Sequence, residues 1–394
     1  MNILVLNAGS SSLKYQVIEM PSQVVKCVGL VERIGMDDAI FTHEKGENEY
    51  SETLPILNHE FGLKKIAKTL MDAKIGVISS VDEIEAVGHR VVHGGNKFSQ
   101  TVIVNREVKD NIRELFDLAP LHNPANLTGI EIAETIFTSA KQIAIFDTAF
   151  HQTMPKKAYQ YAIPNAYLHQ YHIRAYGFHG TSHKYVSEKA NEFINKTSSK
   201  IITIHLGNGC SMAAVKDGKS IETSMGFGPM NGLIMGTRSG DIDQSVIFFL
   251  MKKLNKSAEE VNKILQKEAG MLGLTGHSDL REISEKATNG DENCKNALQL
   301  AAYRIQKYIG AFTATLNGLD AIVFTAGIGE NSDLMRKLAC ENLDFLGIDL
   351  DLEKNAIRLK KARAIQKENA KVKILVIPTN EELEIAKQSY QLLK

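Results

Sequence analysis

The chain has little cysteine, no charge bias and no long apolar run. Its four cysteines, Cys27, Cys210, Cys294 and Cys340, are scattered without a CxxC pair among 394 residues. That spacing excludes a disulfide framework and a zinc knuckle, and it suits a reduced cytosol. Lysine plus arginine and aspartate plus glutamate each total 46, so the formal charge is zero. A general binder of nucleic acid or of membrane surfaces would lean on positive excess, so neither partner is expected. No segment approaches the roughly 20 apolar residues of a membrane helix, and the start through Leu6 is too short for a signal peptide. Several chemical signatures are missing as well: GxxxxGK[ST], the GxSxG elbow, GxGxxG opening a helix, and HExxH. Their absence disfavours a P-loop, a serine hydrolase of that type, a Rossmann dehydrogenase and a helical zinc site. A cytoplasmic chain of two domains is the expectation at this length.

What is present begins at residue 3. The apolar run Ile3–Leu6 leads into Asn7-Ala8-Gly9-Ser10-Ser11-Ser12-Leu13-Lys14, and Leu13, Tyr15 and Val17 then alternate with polar residues. The pattern predicts strand, small-residue turn, strand. Gly and serines let backbone N–H groups approach a phosphate closely, although an ordinary tight hairpin has the same outline. Ile201–Leu206 repeats the idea into Gly207-Asn208-Gly209, followed by Met212–Val215 and an Asp217-Gly218 hairpin turn. Ala321–Thr325 runs into Ala326-Gly327-Ile328-Gly329-Glu330-Asn331, a loop expected to enter a helix near Ser332. Turns of this kind about two hundred residues apart suggest a duplicated architecture, although residue identity between them is too low to establish it. Periodicity predicts helices near 60–73, 106–118, 124–138, 183–195, 243–254, 257–268, 291–317, 332–343 and 380–393. Asn123 reads as a cap before Pro124, and Leu298, Ala301, Ala302, Ile305, Ile309 and Phe312 form a core or interface stripe. A domain boundary is expected near residue 150, giving 1–150 and 151–380, with the helix 381–394 returning to the first.

Arg90 lies in an apolar, Gly-flanked strand end, Gly88-His89-Arg90-Val91-Val92-His93-Gly94-Gly95, and Arg238 lies in the glycine-rich loop Gly236–Asp241. A buried arginine needs a carboxylate or an anionic ligand. His179, in Phe178-His179-Gly180-Thr181-Ser182-His183, reads as a donor to an anion; His122 reads equally well as a surface histidine. Strands ending at Asp147 and near Glu381 put acids where open α/β sheets hold ligands. Loops, arginines and a few acids are the inventory of phosphoryl transfer, which needs positioning and charge neutralisation more than covalent chemistry.

These segments, with Thr379-Asn380-Glu381-Glu382, occur in an order that resembles the acetate kinases over essentially the whole chain. The resemblance implies an α/β fold of two ribonuclease-H-like domains flanking a nucleotide cleft, of the actin/sugar-kinase/Hsp70 type, assembled as a homodimer. It implies ATP + acetate ⇌ ADP + acetyl phosphate with Mg²⁺, Mn²⁺ being the alternative ion. By the same resemblance Asn7 and Glu381 serve the metal, and Lys14 the nucleotide phosphates. Arg90 meets the substrate carboxylate, His179 and Arg238 stabilise the transferring phosphoryl group, and Asp147 is the catalytic acid. His205, Leu206, Gly207, Asn208 and Gly209, then Asp279, Leu280 and Arg281, then Gly327, Ile328, Gly329, Glu330 and Asn331 hold ATP. Val92, Leu121, Phe178 and Pro229 match the pocket for the substrate methyl, which leaves propionate and butyrate as alternative acceptors. An ATP-driven chaperone or filament protein of the same fold type is the competing class, and it would not need Arg90 and Arg238. A carboxylate acceptor is ionised at neutral pH, so Asp147 is expected to orient a partner rather than remove a proton.

Overall fold

The computed structural model describes residues 1–196 and 198–394. They divide into two compact units, Met1–Phe150 with Asn380–Lys394, and His151–Thr379. The first unit holds strands β1 (Asn2–Ala8), β2 (Ser12–Glu19), β3 (Val24–Glu32), β4 (Ala39–Lys45), β5 (Asn48–Leu54), β6 (Ile84–Val91), β7 (Val102–Ile103) and β8 (Lys141–Phe146). They form one sheet in the order β5-β4-β3-β2-β1-β6-β8-β7. The second unit holds β9 (Lys200–Leu206), β10 (Cys210–Lys216), β11 (Lys219–Thr223), β12 (Ala321–Thr325), β13 (Arg363–Ala364) and β14 (Lys373–Val376). Their order is β11-β10-β9-β12-β14-β13.

The two orders share a core. In each, the first strand pairs antiparallel with the next and parallel with a later strand, which is itself parallel to another: β1 with β2 and β6, and β6 with β8; β9 with β10 and β12, and β12 with β14. This is the ribonuclease-H-like arrangement, occurring twice. Topology thus carries a duplication that residue identity does not.

Strand alternation sorts the first core into two faces. Leu4 and Leu6 point into a cluster with Leu63, Ile66, Ala133 and Phe137, from helices His59–Leu70 and Asn123–Ile136 and the latter's cap. Ile3 and Val5 point the other way, onto Ile385 and Ala386 of the C-terminal helix Glu381–Leu393. That helix lies close enough on β6 that a Cβ on Gly88 would stand 2.7 Å from Ile385 Cγ2 and 2.8 Å from Ser389 Oγ. Gly88 is therefore a packing glycine, and it fixes where Glu381 can lie.

Other elements differ from the sequence expectation. Strands β3–β5 extend the first sheet by successive antiparallel pairing. Asn123 is the first helical residue rather than the cap, which is His122 without a side-chain cap bond. Its amide instead accepts from His93 N and donates to His93 O, both at 3.0 Å, so it fixes the chain beyond β6. Gly327–Asn331 is no loop: the helix Ala326–Asn331 follows β12 directly, then Ser332 caps Asp333–Cys340. Ala326 makes that sharp exit at φ 64°, an unusual left-handed conformation for a side-chain-bearing residue. A further helix, Leu280–Thr288, is capped by Asp279 through Arg281 N.

His89 and His93 are buried at the end of β6, and burial holds both rings down to a pKa of about 4. In the unfolded chain each would titrate near ~6.5. The unfolded chain then binds more protons across that interval, so this stabilisation is intact above about pH 6.5. It is lost as pH falls toward about 4, at about 1.4 kcal/mol per pH unit for each ring. Ring-proton NMR should show both histidines neutral at pH 5 in the folded protein. Titration of both near ~6.5 would contradict the burial argument.

Candidate active site

Parallel β1, β6 and β8 deliver Asn7, Arg90 and Asp147 to their carboxyl ends. Asp147 is 1 % exposed and grips one edge of the Arg90 guanidinium: Nε donates to Oδ1 and Oδ2 at 3.0 Å, and Nη2 to Oδ2 at 2.5 Å. Among the described residues Nη1 donates to no protein acceptor, so a second planar edge remains for another carboxylate. Glu381 Oε2 lies 3.8 Å from Arg90 Nε, and Glu382 pairs with Lys14, which opposes Asn7 in the β1–β2 register. Burial works against a charged Arg90, but Asp147 and Glu381 outweigh it and hold the guanidinium above its ordinary range. Burial, with Asp147 and Glu382, pushes the Glu381 carboxyl up, and Arg90 and Lys14 oppose them.

Three carboxylates thus share two cations here. No trio of His, Cys, Asp or Glu that could hold an ion occurs among the described residues. The donor set nevertheless fits a cation that keeps most of its water and takes one or two protein oxygens, with Glu381 under-neutralised and the Asn7 amide at the β1 end.

The second unit is built differently. His179, at φ 54°, precedes helix Gly180–Ile194, and its Nδ1 lies 2.8 Å from Ser211 Oγ. Its ring stacks on His205 with centroids 4.3 Å apart. The turn between β9 and β10 closes through Gly207 N to Gly209 O, and Gly236 N donates to Asn208 O, tying the Arg238 loop to it. A Cβ on Gly209 would stand 3.5 Å from His179 Nε2 and 3.7 Å from Arg238 Nη1. Both donors therefore face the space over one glycine. Arg238 has no carboxylate partner among the described residues; Nη1 donates to Pro229 O at 3.0 Å, and burial lowers its pKa. Arg238 is half-buried, and a partly desolvated cation without a counter-charge is better stabilised when an anion joins it.

Beside the turn is a narrow, mostly apolar cleft. Leu206, Gly207, Asn208, Leu280 and Ile328 line it, so the structure brings the 205–209, 279–281 and 327–331 segments to one place. Asp279 and Arg281 themselves pair with each other, and Arg281 is 91 % exposed. Glu330 accepts from Thr379 N and is pushed up by burial. Val92 and Leu121 belong to the first unit, with Leu121 53 % exposed, while buried Phe178 and half-buried Pro229 belong to the second. Sequence reasoning missed Leu233, Ile234 and Met235 in the cleft wall, apolar residues without a motif. It also missed Arg336, which donates to Gly329 O and Glu330 O and holds the short helix 326–331. Asn126, which bridges Val92 N and Ala8 O, could have been found only as a polar residue on an apolar helix face.

A half-buried arginine without a counter-charge beside a glycine turn, on this doubled fold, is the arrangement expected of a nucleotide-dependent phosphotransferase. A family model described as the acetokinase family matches residues 2–387. Acetate kinase of Flavobacterium johnsoniae is 60 % identical over the whole of both chains, and that of Thermotoga maritima is 51 % identical over 100 % of this chain and 99 % of its own. Among solved structures, Porphyromonas gingivalis acetate kinase superposes with a TM-score of 0.95 at 42 % identity over 100 % of both chains. A Francisella tularensis propionate kinase reaches 0.93, also at 42 % identity, over 99 % of both. The chain belongs to the acetokinase family. The family's reaction is ATP-dependent phosphorylation of acetate to acetyl phosphate, and the chain is a kinase of that kind.

The space over Gly209 gives a direct test. Gly209→Ala would place its methyl in ordinary contact with His179 and Arg238, at no cost in backbone conformation. Melting should change little, while kcat/KM falls by roughly 10²-fold because phosphate oxygens are displaced. Wild-type turnover in this variant would mean that the space is not used.

Proposed function

We propose that the acetate carboxylate docks on the open edge of Arg90 and attacks the γ-phosphorus of ATP. The bond from phosphorus to the β–γ bridging oxygen breaks, and ADP leaves with that electron pair. The observation that carries this reading is the difference between the two arginines: Arg90 is already neutralised by Asp147, whereas Arg238 is not. The first can orient a carboxylate without binding it too tightly; the second is kept for the charge that collects on the transferring group. His179 donates beside it, and Lys14 meets the phosphate chain. The cleft lined by Leu206 and Ile328 takes the adenine. Asn7 and Glu381 would hold Mg²⁺, or Mn²⁺ in its place, which when bound neutralises phosphate oxygens.

Acetate-dependent formation of a hydroxylamine-trappable acyl phosphate from ATP is the test, and its absence would overturn the assignment. Arg90→Ala and Arg238→Ala should each lower kcat/KM by at least ~10²-fold, and lysine at either site should recover only part, since a point charge replaces a planar fork.

Asp147 acts here as the group that positions Arg90. In Asp147→Asn the loss should fall on acetate KM, the pH profile should keep its shape, and azide should not rescue turnover, because the acceptor has no proton to give up. Rescue by azide would identify a general base instead.

The second acceptor reading is propionate, since a solved propionate kinase is 42 % identical to this chain, the same identity as a solved acetate kinase. An added methylene is discriminated by only ~1–3 kcal/mol in an apolar pocket, so kcat/KM for the two acids decides. A cytoplasmic homodimer completes the proposal: Phe248, Phe249 and Tyr303 leave large apolar surface exposed, and sedimentation measures whether a second copy covers it.

A further inference from the structure

Behind His179 lies a run of short hydrogen bonds that the reaction does not require by itself. Ser211 Oγ lies 2.8 Å from both His179 Nδ1 and His183 Nε2, and His183 Nδ1 lies 2.7 Å from Thr203 Oγ1. His183, Ser211 and Thr203 are fully buried, on helix Gly180–Ile194, β10 and β9. Each hydroxyl has a single proton, so the direction of one bond sets the direction of the others. Thr203 Oγ1 lies 2.7 Å from His183 Nδ1 and 3.4 Å from Ala213 O. The second distance is too long for a good O–H···O bond, which favours donation to the ring over the reverse direction, in which His183 Nδ1 donates and the hydroxyl turns to Ala213. His183 then carries its own proton on Nε2 and donates it to Ser211. Having accepted there, Ser211 spends its proton on His179 Nδ1. A neutral His179 is left with its hydrogen on Nε2, the nitrogen that faces the space over Gly209 beside Arg238.

We propose that Thr203, His183 and Ser211 are positioning residues that fix neutral His179 as its Nε2–H tautomer, a donor that needs no second proton to serve the transferring phosphoryl group. The proposal rests on reading His179 as that donor. The groups around the chain favour neutrality. His205 on β9 stacks on His179, Arg238 approaches from its loop, and Cys210 on β10, next to Arg238, is pushed up to about 12 by burial and stays a neutral thiol. His183 is held well below its ordinary range by burial, with His151 and His205 adding to the effect. His151 itself is anchored on Ser220 Oγ and Phe178 O. A protonated His179 would have to give up the bond from Ser211. Fixing an imidazole's tautomer from behind is an effective lever, because the wrong tautomer presents a lone pair where a donor is needed.

The test uses the full chain labelled with ¹⁵N-histidine, whose ring shifts separate Nδ1–H, Nε2–H and doubly protonated forms. His183 and His179 should both report neutral Nε2–H at pH 7.5, and His183 should still do so at pH 6. His183→Gln keeps an N–H donor to Ser211 and should retain kcat/KM within roughly threefold, with an unchanged pH profile. His183→Leu should lose roughly tenfold or more. It should also gain a limb near ~6.5 that falls with rising pH, as His179 comes to donate mainly as the imidazolium. An Nδ1–H signal from His183, or glutamine and leucine variants with equal rates and wild-type profiles, would overturn the proposal. If His183→Leu does not fold, Ser211→Ala takes its place, and the wild-type spectra need no variant. Wild-type activity in His179→Ala would overturn the phosphoryl reading and the proposal with it. An inactive, folded His179→Ala beside an Nδ1–H His183 would overturn the chain of bonds alone.

Discussion

The first unit depends on one buried ion pair. Arg90 is half-buried at the end of β6, and buried Asp147 at the end of β8 offsets the cost of partly desolvating its guanidinium. Adjacent parallel strands bring the two side chains level, in a register where Arg90 pairs with Ile145 and Val91 with Phe146. The two-pronged contact does more than neutralise charge. It fixes the plane of the guanidinium and consumes one edge, so the remaining edge has a single direction in which to receive an acid. Asn123 and Asn126 hold the backbone just beyond, and Gly88 admits the helix that carries Glu381.

The second unit uses the same strand order for a different electrostatic purpose. Around His179 the polar groups are imidazoles and hydroxyls, linked one to the next, and among the described residues Arg238 has no carboxylate partner. A carboxylate beside Arg238 would lower the cost of burying it and would also compete with phosphate. The unit instead carries that cost within its fold. Such preorganisation is how a site favours charge that appears only during transfer, since its donors need no reorientation when the charge arrives.

What could be read from sequence divides along the range of the interaction. The turns at 8–11 and 207–209 were legible because a strand running into small residues is a local pattern, and Asp217-Gly218 adopts the positive φ pair its hairpin needs. The stripe from Leu298 to Phe312 was legible for the same reason, and every member is buried. Arg90 and Arg238 stood out as charges in the wrong surroundings. Strands β3–β5 did not, since their existence depends on pairing outward from β2. Nor did Asn123, whose helix-capping chemistry is overridden by the backbone of His93. Ser211, His183 and Thr203 carry no motif; three elements had to be brought together before their spacing meant anything. The exit at Ala326 was misread as a loop because a left-handed alanine has no sequence mark, and the arginine that secures the helix behind it comes ten residues later, at Arg336.

The chemistry of the acceptor accounts for the division of labour between the units. Kinases acting on hydroxyls must manage a proton, and their acids are placed for that. An acetate ion has no proton to give at neutral pH, so an acid near it is free to hold an arginine, and nearby histidines are free to remain uncharged. The remaining obstacle is repulsion between two anions. In the proposed reading it is met by Arg90, whose charge Asp147 balances, and by Arg238, whose charge no carboxylate balances among the described residues. Making both arginines alike would weaken the site either way. A second carboxylate at Arg238 would repel the phosphates, and a bare Arg90 would hold acetate in the ground state as firmly as in the transition state, which does nothing for the rate of transfer.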